Sequence, residues 1–258
     1  MRKFGFVITV LFFVSFLQAN PVPWQYGTIH AIGDSHCAFC FTNCRTWAEF
    51  CAQTSERSNF VFSNGRDEML VPFTINWLGP RTMHRVGRDG ISKNDFRFNV
   101  QKGDFLVFVF GEIDIRVHIG RQVYKLGRDQ NEVIDTLVKN YIQKVLAAQS
   151  MFSCKAIVYA VIPPNNTCFN LDGSPSDPFL PSVSLEERVK FTKKLNRCLA
   201  QKCQENKIKF FDIADIFSNS DGTLNNNFSD GIHILPEYNA PIKSRLISLL
   251  LDKYTQER

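Results

Sequence analysis

Five short apolar segments alternate with helical segments along this sequence, and the alternation constrains the fold more than any other feature. The clearest of them, residues 104–110, is continuously apolar after its first residue, as expected of a strand buried on both faces. Residues 129–150 place apolar side chains at spacings of three and four, which is typical of a helix packed on a core. The pattern predicts a parallel sheet covered on both faces. Its predicted strands are 28–32, 70–78, 104–110, 156–162 and 208–213.

Length and composition agree with one domain of this kind. The chain has 258 residues, of which 44% are hydrophobic and 21% are charged. These proportions exclude disordered, collagen-like and low-complexity classes. An α/β chain of this length commonly forms a single core, and no repeat or linker interrupts the pattern. We therefore expect one domain over residues 20–258.

Residues 1–19 have the features of a secretory signal peptide. Arg2 and Lys3 form a positive start, residues 4–17 are almost uncharged and apolar, and Ala19 is a small residue suited to precede a cleavage site. The apolar run is shorter than the roughly 20 residues that span a bilayer. We expect export to a secreted or periplasmic location, with no stable membrane insertion after cleavage. An uncleaved membrane anchor is the alternative.

The net charge gives no reason to expect a nucleic-acid partner. The formal charge of the chain is +5, and loss of the two cations Arg2 and Lys3 with the signal peptide would leave +3. A net charge this small does not imply a nucleic-acid partner, because such binding needs basic residues concentrated on one face.

The eight cysteines all follow the predicted signal peptide. An even number in an oxidising compartment favours disulfides, although the sequence does not give the pairing. Cys37-x-x-Cys40, with Cys44 nearby, could instead indicate a metal or redox site, but no second cysteine or histidine pair completes a zinc set. We expect disulfides or buried thiols, and neither a metal nor a cofactor. Asn165 and Asn227 begin glycosylation sequons, which matter only in a eukaryotic host.

Three polar loops occupy positions where such a sheet places its active site. Ligands of parallel sheets bind beyond the carboxyl ends of the strands, where loops converge. Two of these loops follow predicted strands and the third precedes the last helix. They are Gly33-Asp34-Ser35-His36, Gly111-Glu112-Ile113-Asp114 and Ser229-Asp230-Gly231-Ile232-His233.

Ser35, His233 and Asp230 have the chemistry that acyl transfer requires. Serine is a weak nucleophile unless a base takes its proton, and such assistance contributes about 10²–10⁴ in rate. The spacing Asp230-x-x-His233 lets one short loop hold a carboxylate against an imidazole and fix its tautomer. We predict Ser35 as nucleophile, His233 as base and Asp230 as the carboxylate that orients His233.

In this order, the first and last loops resemble two sequence blocks of the SGNH (GDSL-type) hydrolase family. Gly33-Asp34-Ser35-His36 is similar to the nucleophile block, with His where Leu is commonest, and Asp230-Gly231-Ile232-His233 is similar to the terminal block. The resemblance implies a three-layer α/β/α flavodoxin-like fold with a five-stranded parallel sheet over about residues 27–251. It also implies an acyl intermediate on Ser35, and an oxyanion hole that includes the backbone N–H groups of Ser35 and Gly79.

The middle loop departs from the family pattern Gly-x-Asn-Asp, because Ile113 occupies the place of the asparagine. An isoleucine cannot donate to an oxyanion, and loss of one such donor typically costs about 10²–10³ in turnover. Arg116 and His118 are the nearest candidates to replace it. Together with Gly111 and Asp114, we expect them to line the oxyanion and substrate site. The loop is similar to that of a divergent SGNH-like branch.

Each motif also has a simpler interpretation. Gly-Asp-Ser is a common turn, and Asp34 could merely cap a helix. His30 is expected to be structural, His36 to form a wall of the cleft, and His84 to line the pocket or to lie in solvent. Glu112 is expected to pair with Arg116 or Arg85, and Asp114 to anchor its loop by backbone hydrogen bonds and not to act as an acid. Only the joint occurrence of the motifs in an α/β pattern favours a catalytic role.

The sequence therefore predicts an exported ester hydrolase or acyltransferase that acts on a small-molecule or glycan ester. An O-acylated glycan is one example of such a substrate. The arginine-rich segment 81–88 would tolerate an acidic sugar. The alternative is a catalytically weak or inactive protein of this fold that binds carbohydrate or another partner. A third hypothesis, a cysteine-based redox protein, draws only on Cys37-x-x-Cys40.

Overall fold

The structure is a computed structural model that describes residues 21–44, 49, 55–165 and 183–256, with the side chains described as far as residue 252. The predicted signal peptide lies outside the described residues. So do a short helix predicted over residues 45–53, apart from Glu49, and most of a proline-rich loop predicted over residues 163–181.

Seven strands form a single sheet with a mostly parallel core. They are β1 (Val22–Pro23), β2 (Ile29–Gly33), β3 (Ser55–Ser63), β4 (Glu68–Trp77), β5 (Phe105–Val109), β6 (Lys155–Tyr159) and β7 (Lys209–Phe211). The order is β1-β4-β2-β5-β6-β7, and β3 pairs with β4. Only the β3–β4 pair among the described strands is antiparallel.

The five predicted strands correspond to β2, β4, β5, β6 and β7. Numbered among themselves they follow the order 2-1-3-4-5, which is that of flavodoxin-like folds. The sheet has seven strands and not the predicted five, because β1 and β3 also belong to it. β3 alternates buried and exposed residues, because an antiparallel strand can leave one face in solvent. It therefore lacks the apolar run by which the other strands were found.

The helices lie on both faces of the sheet. They are α1 (Ser35–Phe41), α2 (Met83–Asp89), α3 (Gln130–Phe152), α4 (Leu185–Glu205), α5 (Ala214–Phe217) and α6 (Asn239–Gln256). Short 3-10 helices occur at Lys93–Asp95, Asn226–Phe228 and Pro236–Tyr238, and π-helical turns at Asp114–His118 and Arg121–Lys125. Polar side chains cap the two longest helices: Asp129 accepts from the first turn of α3, and Ser184 accepts from Glu187 N in α4.

Strand β5 shows why the chain builds two cores. Phe105, Val107 and Val109 pack in a core with α1, α5 and α6, whereas Leu106 and Phe108 pack in a second core with α2, α3 and α4. Successive side chains of a strand point to opposite faces, so a strand between two helical layers must be apolar throughout. The result is the predicted three-layer α/β/α architecture.

The described cysteines are buried or partly buried thiols. Cys37, Cys40, Cys44, Cys154, Cys198 and Cys203 are free, and Cys51 and Cys168 lie outside the described residues. Burial raises the pKa of the Cys40 thiol to about 12 and that of Cys37 well above its ordinary value. Reactive thiols need the opposite shift, so Cys37-x-x-Cys40 does not support the redox hypothesis.

Among the residues that the structure describes, no helix combines the length and the apolar character needed to cross a membrane.

Candidate active site

Ser35 is the first residue of α1 and follows directly on β2. The turn between them is tight: a Cβ on Gly33 would lie 2.1 Å from the carbonyl oxygen of Val109, so only glycine fits there. Asp34 caps the helix, and its Oδ1 accepts from His36 N over 2.9 Å. The cap and the glycine place the Ser35 hydroxyl at the carboxyl edge of the sheet.

Asp230 and His233 lie on a short loop before α6, and the loop is built around the aspartate. Asp230 Oδ1 accepts from the backbone N–H groups of Ile232 and His233 over 2.9 and 2.7 Å. Its other oxygen, Oδ2, lies 3.0 Å from His233 Nδ1. Burial would raise the pKa of Asp230, but the contacts with His233 outweigh burial and lower the pKa to about 2. The carboxylate is therefore ionised at any working pH.

The structure brings Ser35 and His233 into contact, although they are 198 residues apart in the chain. His233 Nε2 lies 2.8 Å from Ser35 Oγ. The carboxylate beside Nδ1 can only accept, so the proton of the neutral imidazole lies on Nδ1 and Nε2 is left to accept from the hydroxyl. One tautomer thus satisfies both contacts of the ring.

Two aromatic side chains of α1 pack on the His233 ring. Phe39 stacks on it with ring centres 4.1 Å apart and planes 5° apart. His36 contacts it with centres 4.7 Å apart. Sequence reasoning placed His36 as a cleft wall and missed Phe39. The spacing could have found Phe39, because residues four apart on a helix lie on one face, and Phe39 is four residues after Ser35.

Gly79 lies beside the nucleophile loop. Leu78 N donates to Gly33 O over 2.8 Å, which holds the residues after β4 against the end of β2. Gly79 itself has a φ of +69°, a left-handed conformation that favours glycine. The structure thus places Gly79, the residue after Leu78, beside the turn that carries Ser35.

Gly111 and Asp114 lie inside the protein, and Asp114 has the anchoring role that the sequence suggested as its simpler interpretation. A Cβ on Gly111 would lie 2.6 Å from Val161 Cγ2 and 2.8 Å from a Met83 methyl carbon. Asp114 is fully buried and accepts from Met83 N and His84 N, over 2.6 and 3.1 Å. These contacts anchor the first turn of α2 to the loop after β5.

Arg116 and His118, the two candidates to replace the missing donor, have other partners. Arg116 is 7% exposed and donates to Glu112 Oε2 over 2.8 Å. His118 packs on His84, with ring centres 4.3 Å apart. Both imidazoles line a cavity of about 250 Å³ between α2 and α3, and its lining includes none of the three predicted catalytic residues. Neither position supports a role at the oxyanion.

His30 takes the structural role expected of it. It is buried in β2, where Nδ1 lies 2.6 Å from Thr74 Oγ1 and Nε2 lies 3.0 Å from Asp104 Oδ2. Glu112 pairs with Arg116, one of the partners that the sequence suggested. Its contact with His36 was not foreseen, because nothing in the sequence links two loops so far apart.

Comparison with known proteins gives similarity to solved structures alone. No family model and no curated protein matches this sequence. A GDSL-like lipase from Bacteroides thetaiotaomicron is similar at 15% identity over 89% of both chains, with a TM-score of 0.49. The aryl esterase of M. smegmatis is similar at 17% identity over 88% of this chain and 99% of its own, with a TM-score of 0.46. A carbohydrate acetylesterase from Sinorhizobium meliloti is similar at 15% identity, 88% and 99% coverage, and a TM-score of 0.41.

Proposed function

We propose that this chain is an ester hydrolase of the SGNH type. The proposal rests on two consecutive contacts. Ser35 Oγ lies 2.8 Å from His233 Nε2, and His233 Nδ1 lies 3.0 Å from Asp230 Oδ2. A serine, a histidine and a carboxylate in this geometry are recognised by their contacts and not by their order in the chain.

The geometry supports a two-step reaction. Ser35 Oγ attacks the acyl carbon of an ester while its proton passes to His233 Nε2, and the carbonyl electron pair moves onto the carbonyl oxygen. The intermediate collapses as His233 gives the proton to the departing alcohol, which leaves an acyl group on Ser35. Water then attacks with His233 again as base and releases the acid. Asp230 stabilises the imidazolium in both steps.

The oxyanion is proposed to bind the backbone N–H groups of Ser35 and Gly79. Ile113 offers no donor in place of the family's asparagine, and its side chain is buried in the core. We therefore expect turnover below that of relatives that have the asparagine, by about 10²–10³.

For the substrate we propose an O-acylated glycan or a small acyl ester. Arg85 and Arg88 on α2 are largely exposed and share Asp89 as their partner. Their segment adjoins the loop of Gly79, so an acidic sugar attached to the ester would meet favourable charge. An acyl transfer to a second alcohol in place of water is chemically equivalent. We propose that the protein acts after export.

A second candidate is a binding protein of the same fold with little or no activity. The observation that favours it is the missing third oxyanion donor: Ile113 is apolar, and Arg116 pairs with Glu112. A labelling experiment decides between the two candidates.

The deciding experiment is labelling by a fluorophosphonate probe together with turnover of 4-nitrophenyl acetate. The wild-type protein should label and turn over, and Ser35→Ala should lose both. Cys37→Ala, a change two residues away at a fully buried side chain, is the matched control and should retain the label. Turnover that persists unchanged in Ser35→Ala and in His233→Ala would reject the hydrolase. A wild type that does not label would favour the binding protein.

A further inference from the structure

Three polar side chains form a buried chain that ends at the ring of His233. Arg116 Nη2 donates to Glu112 Oε2 over 2.8 Å, and His36 Nε2 lies 3.4 Å from the same oxygen. The His36 ring centre lies 4.7 Å from that of His233. His36 is 3% exposed and the Glu112 side chain is 11% exposed. A carboxylate buried this far is costly unless it has partners, and here it has two.

The charge states of Glu112 and His36 follow from their burial and their contacts. Burial alone would raise the pKa of Glu112, but the charge of Arg116 and the contact with His36 outweigh it and lower the pKa to about 2. Burial lowers the pKa of His36. At neutral pH Glu112 is therefore ionised and His36 is neutral. The 3.4 Å contact is longer than an ordinary N–H···O hydrogen bond, and neither ring nitrogen of His36 has a hydrogen-bond partner among the described residues. The carboxylate nevertheless attracts an N–H on Nε2 electrostatically, which favours the tautomer that has its proton on the side of Glu112.

Charged and titratable groups approach the two imidazoles from three elements. They are Asp230 from the loop of His233, Asp34 and His36 from α1 and its cap, and Glu112 with Arg116 from the loop after β5. Burial raises the pKa of Asp34 well above its ordinary value, which favours its neutral form. Among the residues that the structure describes, the anions around His233 are thus Asp230, in direct contact, and Glu112, behind His36.

We propose that Glu112 is a positioning residue for His233 and acts through His36 in the hydrolase function proposed above. Its carboxylate holds the neutral His36 ring against His233. Its negative charge favours the imidazolium that His233 becomes when it takes the proton of Ser35. Glu112 and His36 touch no reacting atom. Asp230 orients His233 from Nδ1, and the Glu112–His36 pair supports the ring from its side.

The test compares the wild type with Glu112→Gln, which keeps the shape of the side chain and removes its charge. We expect kcat for 4-nitrophenyl acetate to fall about tenfold, within the range of couplings between neighbouring charged groups. KM should change less than twofold, because the contact acts on the transition state. The acid limb of the kcat/KM profile should move to lower pH, since loss of a nearby anion disfavours protonation of His233.

His36→Leu keeps the test decisive if Glu112→Gln, which replaces the charged partner of Arg116 by a neutral one, folds poorly. It retains the Glu112–Arg116 pair and should also lower kcat without changing KM. Where both single variants fold, the double variant should lose less than the product of the two single losses, because both changes remove the same support. Losses that multiply fully would contradict an effect through His36.

The structure offers a matched control in Asp104, which contacts His30 as Glu112 contacts His36. His30 Nε2 lies 3.0 Å from Asp104 Oδ2, and both residues are buried. Asp104 precedes β5, at the edge of the sheet opposite Ser35. Asp104→Asn should leave kcat and the position of the acid limb unchanged, even where it lowers the melting temperature.

Imidazole NMR separates this inference from the proposed function, because it needs no turnover. The His233 signals, identified by their loss in His233→Asn, should titrate at lower pH in Glu112→Gln than in the wild type. An unchanged titration would overturn the role of Glu112. A wild type without label or turnover would instead reject the hydrolase, and the NMR comparison would still decide whether Glu112 acts on His233.

Discussion

The imidazole of His233 has neighbours of different chemistry on its nitrogens and on its ring. Ser35 and Asp230 contact its two nitrogens, and Phe39 and His36 contact its ring. In the proposed hydrolase, a base held in this way would reach the transition state with little further ordering, which is how enzymes avoid an entropic cost at the moment of reaction. At the scale of residues, the proposed active site is already ordered without substrate.

Asp230→Asn tests this preparation. Asp230 Oδ1 accepts from two backbone N–H groups, so the amide oxygen of asparagine must stay there and its NH₂ must face His233 Nδ1. The imidazole then carries its proton on Nε2, where it cannot accept from Ser35. We expect kcat to fall by about 10³–10⁴ while the fold is retained. Turnover and circular dichroism check this, and a near-wild-type rate would contradict the proposed role of Asp230.

At the scale of elements, the loop after β5 anchors α2 to the sheet. Gly111 allows it to pack on Val161 and Met83, and Asp114 accepts from the first turn of α2. Asp114 thereby anchors the start of α2, four residues after Gly79 in the sequence.

The pH dependence of stability tests the buried position of Asp114. Burial raises its pKa from 3.8 to about 7. Between these values the folded protein keeps a proton that the unfolded chain has released. The stability due to this group is present below about pH 4, falls as the pH rises towards 7, and changes no further above it. In urea unfolding between pH 5 and 8, Asp114→Asn should lack this part of the decline. The same slope in both proteins would show that the carboxyl is ionised in the fold.

The strands show how much of the fold could be predicted from the sequence and why the rest of the fold could not. Strands such as β5, buried on both faces, leave an apolar run that identifies them. β3 is half exposed, and β1 has only two residues, so neither produces a pattern of apolar residues that would identify a strand.

The contact of Ser35 with His233 was predictable because two motifs specify it. The contact of Glu112 with His36 was not, because it depends on side-chain packing between separate loops. Asp114 anchors its loop through backbone N–H groups, Arg116 pairs with Glu112, and His118 packs on His84. These partners could not be read from the sequence, because proximity in sequence to a loop does not decide which way a side chain points.

At the scale of the whole molecule, one parallel sheet carries two helical layers, and its carboxyl edge gathers residues from both ends of the chain. The predicted leader of residues 1–19 lies outside the described part of the structure, and export remains a proposal.

Replacement of residues 10–13 by charged residues tests export. An apolar centre is required for a signal peptide to be recognised, so the variant should accumulate inside the cell and keep its full length. The same number of charged substitutions in the exposed segment 64–67 is a suitable control and should leave secretion intact. Equal secretion of both variants would reject the signal peptide. Mass spectrometry of the secreted wild type would locate the cleavage site.

The 198-residue separation of Ser35 and His233 has a consequence for biosynthesis. During translation, the nucleophile emerges early and its base emerges late, just ahead of α6, whose Lys243 bonds Asn43 after the end of α1 over 2.6 Å. A ribosome-bound or C-terminally truncated chain that lacks His233 lacks the proposed base, and we expect it to be chemically inert whatever part of its sheet has formed. Ester turnover would report that the last segment has docked, and a pulse-chase of probe labelling would follow the maturation of the protein.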